Sequence, residues 1–292
     1  MSLVTSSSDE DRDASNVAAV PTPYAEEGFK VASFDAIADE LEKRLELSEE
    51  ALAARGPWRG WVASFGPLEI HGSPRQVILL HAHGAGAGRE TDFHQQFGKA
   101  CAHQGAAWLG FDFAYLVKMR CEARRRPPPR LPGLIEEMTR WHEALAASLA
   151  ARASLATCRV LLGGKSMGSR VASHVMQELE GRGMPAPSSG PRRMSPLGWY
   201  ALGYPFHPTG KPDTLRTEHL AAINAPGVIC QGTRDPFGHR EEVEGYGLPC
   251  TISLHWLEDG EHDFKPRKAS GKTREGLIRS AVAAILAHPA LR

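Results

Sequence analysis

The sequence predicts an α/β protein: a mostly parallel central sheet with helices on both faces and minimal or no cap domain. Three observations carry that expectation. Short apolar runs alternate with amphipathic stretches along most of the chain. The strongest run, residues 76–81, ends in the glycine-rich turn His83-Gly84-Ala85-Gly86-Ala87-Gly88. A second run, residues 159–162, enters Gly163-Gly164-Lys165-Ser166-Met167-Gly168 just ahead of another amphipathic stretch. Strands covered on both faces read as continuous apolar runs, and helices between them make their connections parallel.

Residues 1–28, rich in Ser, Asp, Ala and Pro, have little to bury and read as a disordered tail. A helical extension follows over 29–57. In it Ile37, Leu41, Leu45 and Leu52 recur near helical spacing from Phe34 until Gly56-Pro57 breaks the pattern, which predicts one amphipathic helix. The main domain spans 58–292. It opens with short strand candidates at 61–65 and 68–70 and the stronger one at 76–81. Phe93, Phe97 and Ala100 mark a helix, 107–113 a strand, and Leu134, Met138, Trp141, Leu145 and Leu149 a long amphipathic helix. After the strand at 159–162, Met167, Val171, Val175 and Leu179 give the next helix, which breaks into a Gly/Pro/Ser-rich loop over 181–196. Strands at 198–202, 227–231 and 251–257, a short helix near 215–223 and a last helix on Leu277, Ala281, Val282 and Ile285 complete the pattern. The stretch between Ser166 and Asp235 must hold a helix, a loop, a strand and a short helix, which leaves no room for a large lid.

Composition narrows the function classes. Among 292 residues, 34 Lys and Arg balance 34 Asp and Glu, so bulk electrostatics does not favour nucleic acid or an anionic membrane as partner. The basic run Arg124-Arg125-Arg126 is followed by three prolines and lacks interleaved aromatics, and reads as a surface loop. Five cysteines without a C-x-x-C pair fit free thiols in a reducing compartment. The N-terminus lacks a basic-then-apolar leader, and no window holds the roughly 18 apolar residues of a membrane helix. These features predict a cytoplasmic protein with no cofactor, no nucleic acid and no membrane partner. Nothing in the sequence sets an oligomeric state.

The candidate chemistry begins at Ser166. A G-x-S-x-G pattern alone is weak, but here it lies between a strand and a helix, the setting in which a tight turn presents a serine. Serine needs a base, and the base an orienting acid. Asp235 follows the strand at 227–231 and His262 follows that at 251–257, so both fall at carboxyl ends of strands, where open α/β sheets bind ligands. For a tetrahedral oxyanion the Met167 amide is one expected donor. The loop at 83–86 supplies the other, with Ala85 favoured and Gly84 or Gly86 as open alternatives. His207, Phe206 and Phe237 are expected to line an open, shallow pocket for a small acyl substrate. His81-x-His83 could supply two metal ligands, but no third or fourth is apparent, so no metal is expected. Lys165, Arg234 and Arg120 are cations that could face an anionic substrate, with solvated or capping roles as the plainer reading.

Six motifs that follow one another along the chain, QVILLHAHGAGAG, FDFAY with the later RRRPPP, GGKSMGSR, GYPFHPTGKP, QGTRDPFG and DGEHDF, resemble the KANL3/Tex30-type α/β-hydrolases, relatives of dienelactone hydrolase. The likeness covers about residues 60–290. It implies an α/β-hydrolase fold with little cap and a Ser-Asp-His triad at Ser166, Asp235 and His262. The implied activity is serine hydrolysis of a small ester, thioester or related acyl compound through an acyl-enzyme on Ser166. The alternative is a hydrolase-fold binding module without turnover.

Overall fold

The computed structural model describes residues 19–183 and 195–288. Its strands are β1 (Lys30–Ala32), β2 (Trp58–Val62), β3 (Gly66–His71), β4 (Ile78–Ala82), β5 (Ala107–Phe111), β6 (Val160–Lys165), β7 (Gly198–Leu202), β8 (Gly227–Gly232) and β9 (Ile252–Leu257). They form one sheet in the spatial order β1-β2-β3-β5-β4-β6-β7-β8-β9. β3 is antiparallel to both neighbours, and every pairing from β5 through β9 is parallel. β4 to β8 are buried at every residue, as strands covered on both faces must be.

The helices are α1 (Thr22–Glu26), α2 (Phe34–Glu46), α3 (Glu49–Arg55), α4 (Asp92–His103), α5 (Ala114–Cys121), α6 (Leu131–Ala150), α7 (Met167–Gly181), α8 (Arg240–Val243) and α9 (Arg274–Leu286). Alternate strand side chains divide between two cores. Leu79, Trp108 and Tyr200 meet Phe97 of α4 and Ile278 of α9 on one face. On the other, Leu80, Leu109 and Leu162 join Leu41 of α2, Trp141 of α6 and Val171 of α7. The fold class expected from the sequence is therefore the one observed. Among the described residues, the connection from β7 to β8 holds only a 3-10 turn, Glu218–Ala222, and no cap domain.

Several local expectations are corrected. The helix expected over 34–52 is two helices. Leu47 is extended (φ −80°, ψ 142°), and Ser48 restarts the chain by accepting the Ala51 N–H at 3.2 Å. The extension is not wholly helical, since Lys30–Ala32 pairs in parallel with β2 and continues the sheet of the main domain. Nor does the tail run to residue 28. Tyr24 of α1 is fully buried beside Phe29 and Trp61, and its hydroxyl donates to Asp112 Oδ2 at 3.2 Å. The tail expectation for 1–18 and most of the loop expectation for 181–196 lie outside the described residues. α5 and α8 have no counterpart in the sequence pattern, because α5 buries only Leu116 and α8 only Val243. All five cysteines are free thiols.

Candidate active site

β6 delivers Ser166 to the carboxyl edge of the sheet, and α7 begins at the next residue. The turn between them holds Ser166 at φ 53°, ψ −114°, a conformation that costs a non-glycine residue of the order of 1–3 kcal/mol. Surrounding bonds hold it there. The Ser166 N–H donates to Leu202 O at 3.0 Å, and the Ser166 carbonyl accepts from the Ser169 and Arg170 amides at 3.0 and 3.2 Å and from Ser169 Oγ at 2.6 Å. Two glycines make the turn sterically possible. A Cβ on Gly164 would lie 2.4 Å from Ala82 O, and one on Gly168 2.2 Å from the same oxygen.

β8 and β9 deliver the partners. Asp235 is fully buried in the turn after β8, where its Oδ1 accepts the Phe237 N–H at 2.9 Å. Its Oδ2 lies 2.8 Å from His262 Nδ1, and His262 Nε2 lies 2.9 Å from Ser166 Oγ. A carboxylate only accepts, so Nδ1 carries the proton and Nε2 is free to accept from the serine hydroxyl. The Phe237 ring packs 4.5 Å from the imidazole and limits its rotation. Gly203 after β7, absent from the sequence-based set, closes the third side. It has φ 61°, and a Cβ there would press to 3.2 Å on both Asp235 Oδ2 and His262 Nδ1. Its one sequence signal is a glycine directly after a strand.

The loop after β4 lies against this line. An ideal Cβ on Gly84 would stand 3.6 Å from Ser166 Cβ, so the Gly84 backbone lies close against Ser166. His83 anchors the loop: the Phe113 N–H donates to Nε2 at 3.0 Å, so Nδ1 carries the proton and donates to Gly84 O at 2.6 Å. Burial lowers the His83 pKa and keeps the ring neutral. The Gly86 amide is engaged with Tyr115 Oη at 3.3 Å, whereas Ala85 is exposed at the turn. Met167 opens α7 and has no intrahelical acceptor for its N–H.

Other expected site residues are placed elsewhere. Phe206 is fully buried between Tyr204 and Tyr246 and offers no surface to a ligand. His207 is 2% exposed, with Nδ1 2.9 Å from Pro208 O and Nε2 3.3 Å from Glu242, so both ring nitrogens are occupied. Of the expected pocket trio only Phe237 stands beside the imidazole. Lys165 is buried, 3.5 Å from Asp263, and burial lowers its pKa. Arg120 is paired with Glu27, Glu90 and Asp112, and Arg234 with Asp259. His81 and His83 occupy different surroundings, His81 against Tyr200 at 2.9 Å and among the rings of His94, Phe97 and Trp108. Among the described residues, no three His, Cys, Asp or Glu side chains are grouped to hold a metal ion, and no helix is long and apolar enough to cross a membrane.

Residues 75–290 match the family model of the α/β-hydrolase domain. The chain is an α/β-hydrolase. Among solved structures, the hydrolase is similar to dienelactone hydrolase from Anabaena variabilis, with 17% identity, a TM-score of 0.50, and 79% of this chain and 94% of that one covered. It is also similar to an esterase from Pyrococcus furiosus, with 13% identity, a TM-score of 0.50, and coverage of 73% and 84%. At such identities the likeness concerns the fold, so the chemistry of this hydrolase has to be argued from its own residues.

Proposed function

We propose that this hydrolase is a serine hydrolase, carboxylesterase-like, that cleaves a small ester, thioester or related acyl compound. The observation that carries the reading is the unbroken line Ser166 Oγ, His262 imidazole, Asp235 carboxylate, with gaps of 2.9 and 2.8 Å and the proton on the nitrogen facing Asp235. Ser166 Oγ attacks the acyl carbon while His262 Nε2 takes its proton. The proton then passes to the departing alcohol or thiol as the acyl–oxygen or acyl–sulfur bond breaks. Water attacks the acyl-Ser166 ester by the same route in reverse: His262 removes its proton, the carboxylic acid leaves, and Ser166 regains its hydrogen. Asp235 keeps the imidazole in the reactive tautomer and stabilises the imidazolium formed in each half. The Met167 amide and the Ala85 amide, with Gly84 beside it, bind the oxyanion, and the positive end of α7 adds to their field.

The six motifs of the sequence support placing the hydrolase in the KANL3/Tex30 group. Its free thiols and balanced charge support a cytoplasmic enzyme that works on a small molecule, without nucleic acid, membrane or organic cofactor. A panel of short-chain 4-nitrophenyl esters tests the reading. Hydrolysis by the pure protein should fall by at least ~10⁴-fold in Ser166→Ala, since the triad acts as a unit. Equal hydrolysis by wild type and Ser166→Ala would overturn it, and a folded protein inert to the panel would favour a binding module.

A further inference from the structure

Lys165, one of the cations first considered for an anionic substrate, is only 4% exposed and is the residue directly before Ser166. A buried ammonium is costly to hold unless a counter-charge comes with it. By the alternation of β6, Lys165 follows Leu161 onto the sheet face covered by α4 and α9. Its stem and its head then meet different segments. A Cβ built on Gly84 would stand 3.9 Å from Lys165 Cγ, so the stem runs beside the loop after β4 that also holds Ala85. The ammonium lies 3.5 Å from Asp263 Oδ1 and 5.5 Å from the centroid of the Phe93 ring, in the first turn of α4. Asp263 directly follows His262. One side chain therefore joins the neighbour of Ser166 to the neighbour of His262.

The segment that carries His262 is closed on itself. Glu261 Oε1 accepts the Asp263 and Lys265 N–H groups at 2.9 and 3.1 Å, and the Phe264 N–H donates to Glu261 O at 2.9 Å. Such a turn keeps its own shape but still has to be held against the rest of the fold. Asp263 and Phe264 make three ties outward. Arg274 Nε donates to Asp263 O at 3.1 Å, the Phe264 ring meets Phe93 edge-on at 5.2 Å, and the Asp263 carboxylate meets Lys165. Of these three, the Lys165 pair is the one that leads to β6, the strand that presents Ser166.

We propose that Lys165 is a positioning residue whose buried ion pair with Asp263 sets the distance and angle between Ser166 and His262. The proposal rests on Ser166 being the nucleophile. Moving the His262 turn away from β6 would leave a buried ammonium without its carboxylate, which is strongly unfavourable, so the pair holds the turn in place. Proton transfer from the serine needs that fixed geometry, since a misplacement of about 1 Å can cost about 100-fold in rate.

The test measures 4-nitrophenyl butyrate hydrolysis and fluorophosphonate labelling in Lys165→Met, Asp263→Asn, Asp263→Glu and the double variant of Lys165→Met with Asp263→Asn. Methionine fills the space of the stem and leaves no charge in the core, so the thermal midpoint of Lys165→Met should stay at or above that of wild type. Its kcat should fall about 30-fold with KM changed by less than about twofold, and labelling should slow in proportion. Asp263→Asn should lose about tenfold in kcat, and Asp263→Glu, which keeps the charge on a half-exposed side chain, should recover most of it. The double variant should be no slower than Lys165→Met, because both substitutions break one contact. An unchanged kcat in both single variants, a loss carried by KM, or losses that multiply in the double variant would each overturn the proposal. If Lys165→Met does not fold, the two Asp263 variants decide: Asn as fast as wild type, or Glu as slow as Asn, would overturn it. A wild type inert to both the ester and the fluorophosphonate would overturn the serine-hydrolase reading and this proposal with it, whereas an active wild type matched by its variants overturns this proposal alone.

Discussion

Two buried polar assemblies flank the same loop after β4 and are built on opposite principles. On one side stands the line Ser166, His262, Asp235, three groups at the ends of β6, β9 and β8. On the other, Arg89 is 1% exposed and reaches Glu27 at 2.9 Å, Glu69 at 3.3 Å and Asp112 at 3.5 Å, with the Phe29 ring 4.2 Å from its guanidinium. Arg59 and His71 join through Glu69, and Arg120 through Glu27 and Asp112. Burial alone would raise the Glu69 pKa, yet His71, Arg59 and Arg89 together hold it at about 2. The first assembly carries a single formal charge, and under the proposed mechanism it passes one proton between Ser166 and His262. The second is a dense ion network in which each charge has an opposite partner, and it holds the end of the loop after β4 through the Arg89 N–H, which donates to Asp112 Oδ1 at 3.1 Å.

The comparison implies separable failures. Asp235→Asn should leave the fold intact, since an amide oxygen can still accept the Phe237 N–H, but it lets His262 adopt the wrong tautomer, and kcat should fall by ~10⁴-fold. Steady-state kinetics with a short ester and denaturant unfolding read the two effects apart. Arg89→Met should do the reverse. With Glu69 and Asp112 left buried and short of a cation, stability should fall by about 3–5 kcal/mol in urea titrations. Activity at low temperature should drop far less than in Asp235→Asn. A loss of activity in Arg89→Met as deep as in Asp235→Asn, without a loss of stability, would merge the two roles.

A smaller effect concerns pH. His142 of α6 and His81 of β4 are buried, and burial, for His81 with the nearby His83 and Lys165 adding to it, lowers their pKa values to about 4 and about 3. Both are neutral in the folded state, while the unfolded chain protonates them near 6.5. The unfolded state therefore binds more protons below that value, and stability should decline as pH falls from about 6.5 toward 4. Urea midpoints across that range should show the slope, and His142→Gln should reduce it. A midpoint that rose on acidification would contradict this.

The contrast also explains what the sequence made legible. Ser166, Asp235 and His262 could be found because each follows an apolar strand and sits in a turn with its own local signal: paired glycines, Asp-Pro, or a Gly-Glu-His loop. The parallel sheet followed from the same strands. The Arg89 network was invisible, since Glu27, Glu69, Arg89 and Asp112 come from four separate segments and share no spacing. For the same reason Tyr24 was assigned to a tail, a lone aromatic among small polar residues whose partners lie far along the chain. Phe206 and His207 were misplaced because a strand-end position does not reveal which way a side chain turns. The amphipathic pattern through Leu47 and Ser48 hid a break set by one capping hydroxyl.

The central claim is that Ser166 is an activated nucleophile. Intact-mass analysis after brief exposure to a fluorophosphonate tests it most directly. The account predicts one adduct per chain, mapped to Ser166, formed rapidly in wild type, much more slowly in Asp235→Asn and not at all in Ser166→Ala. A folded wild-type protein that takes up no adduct, or takes it up at another residue, would contradict it.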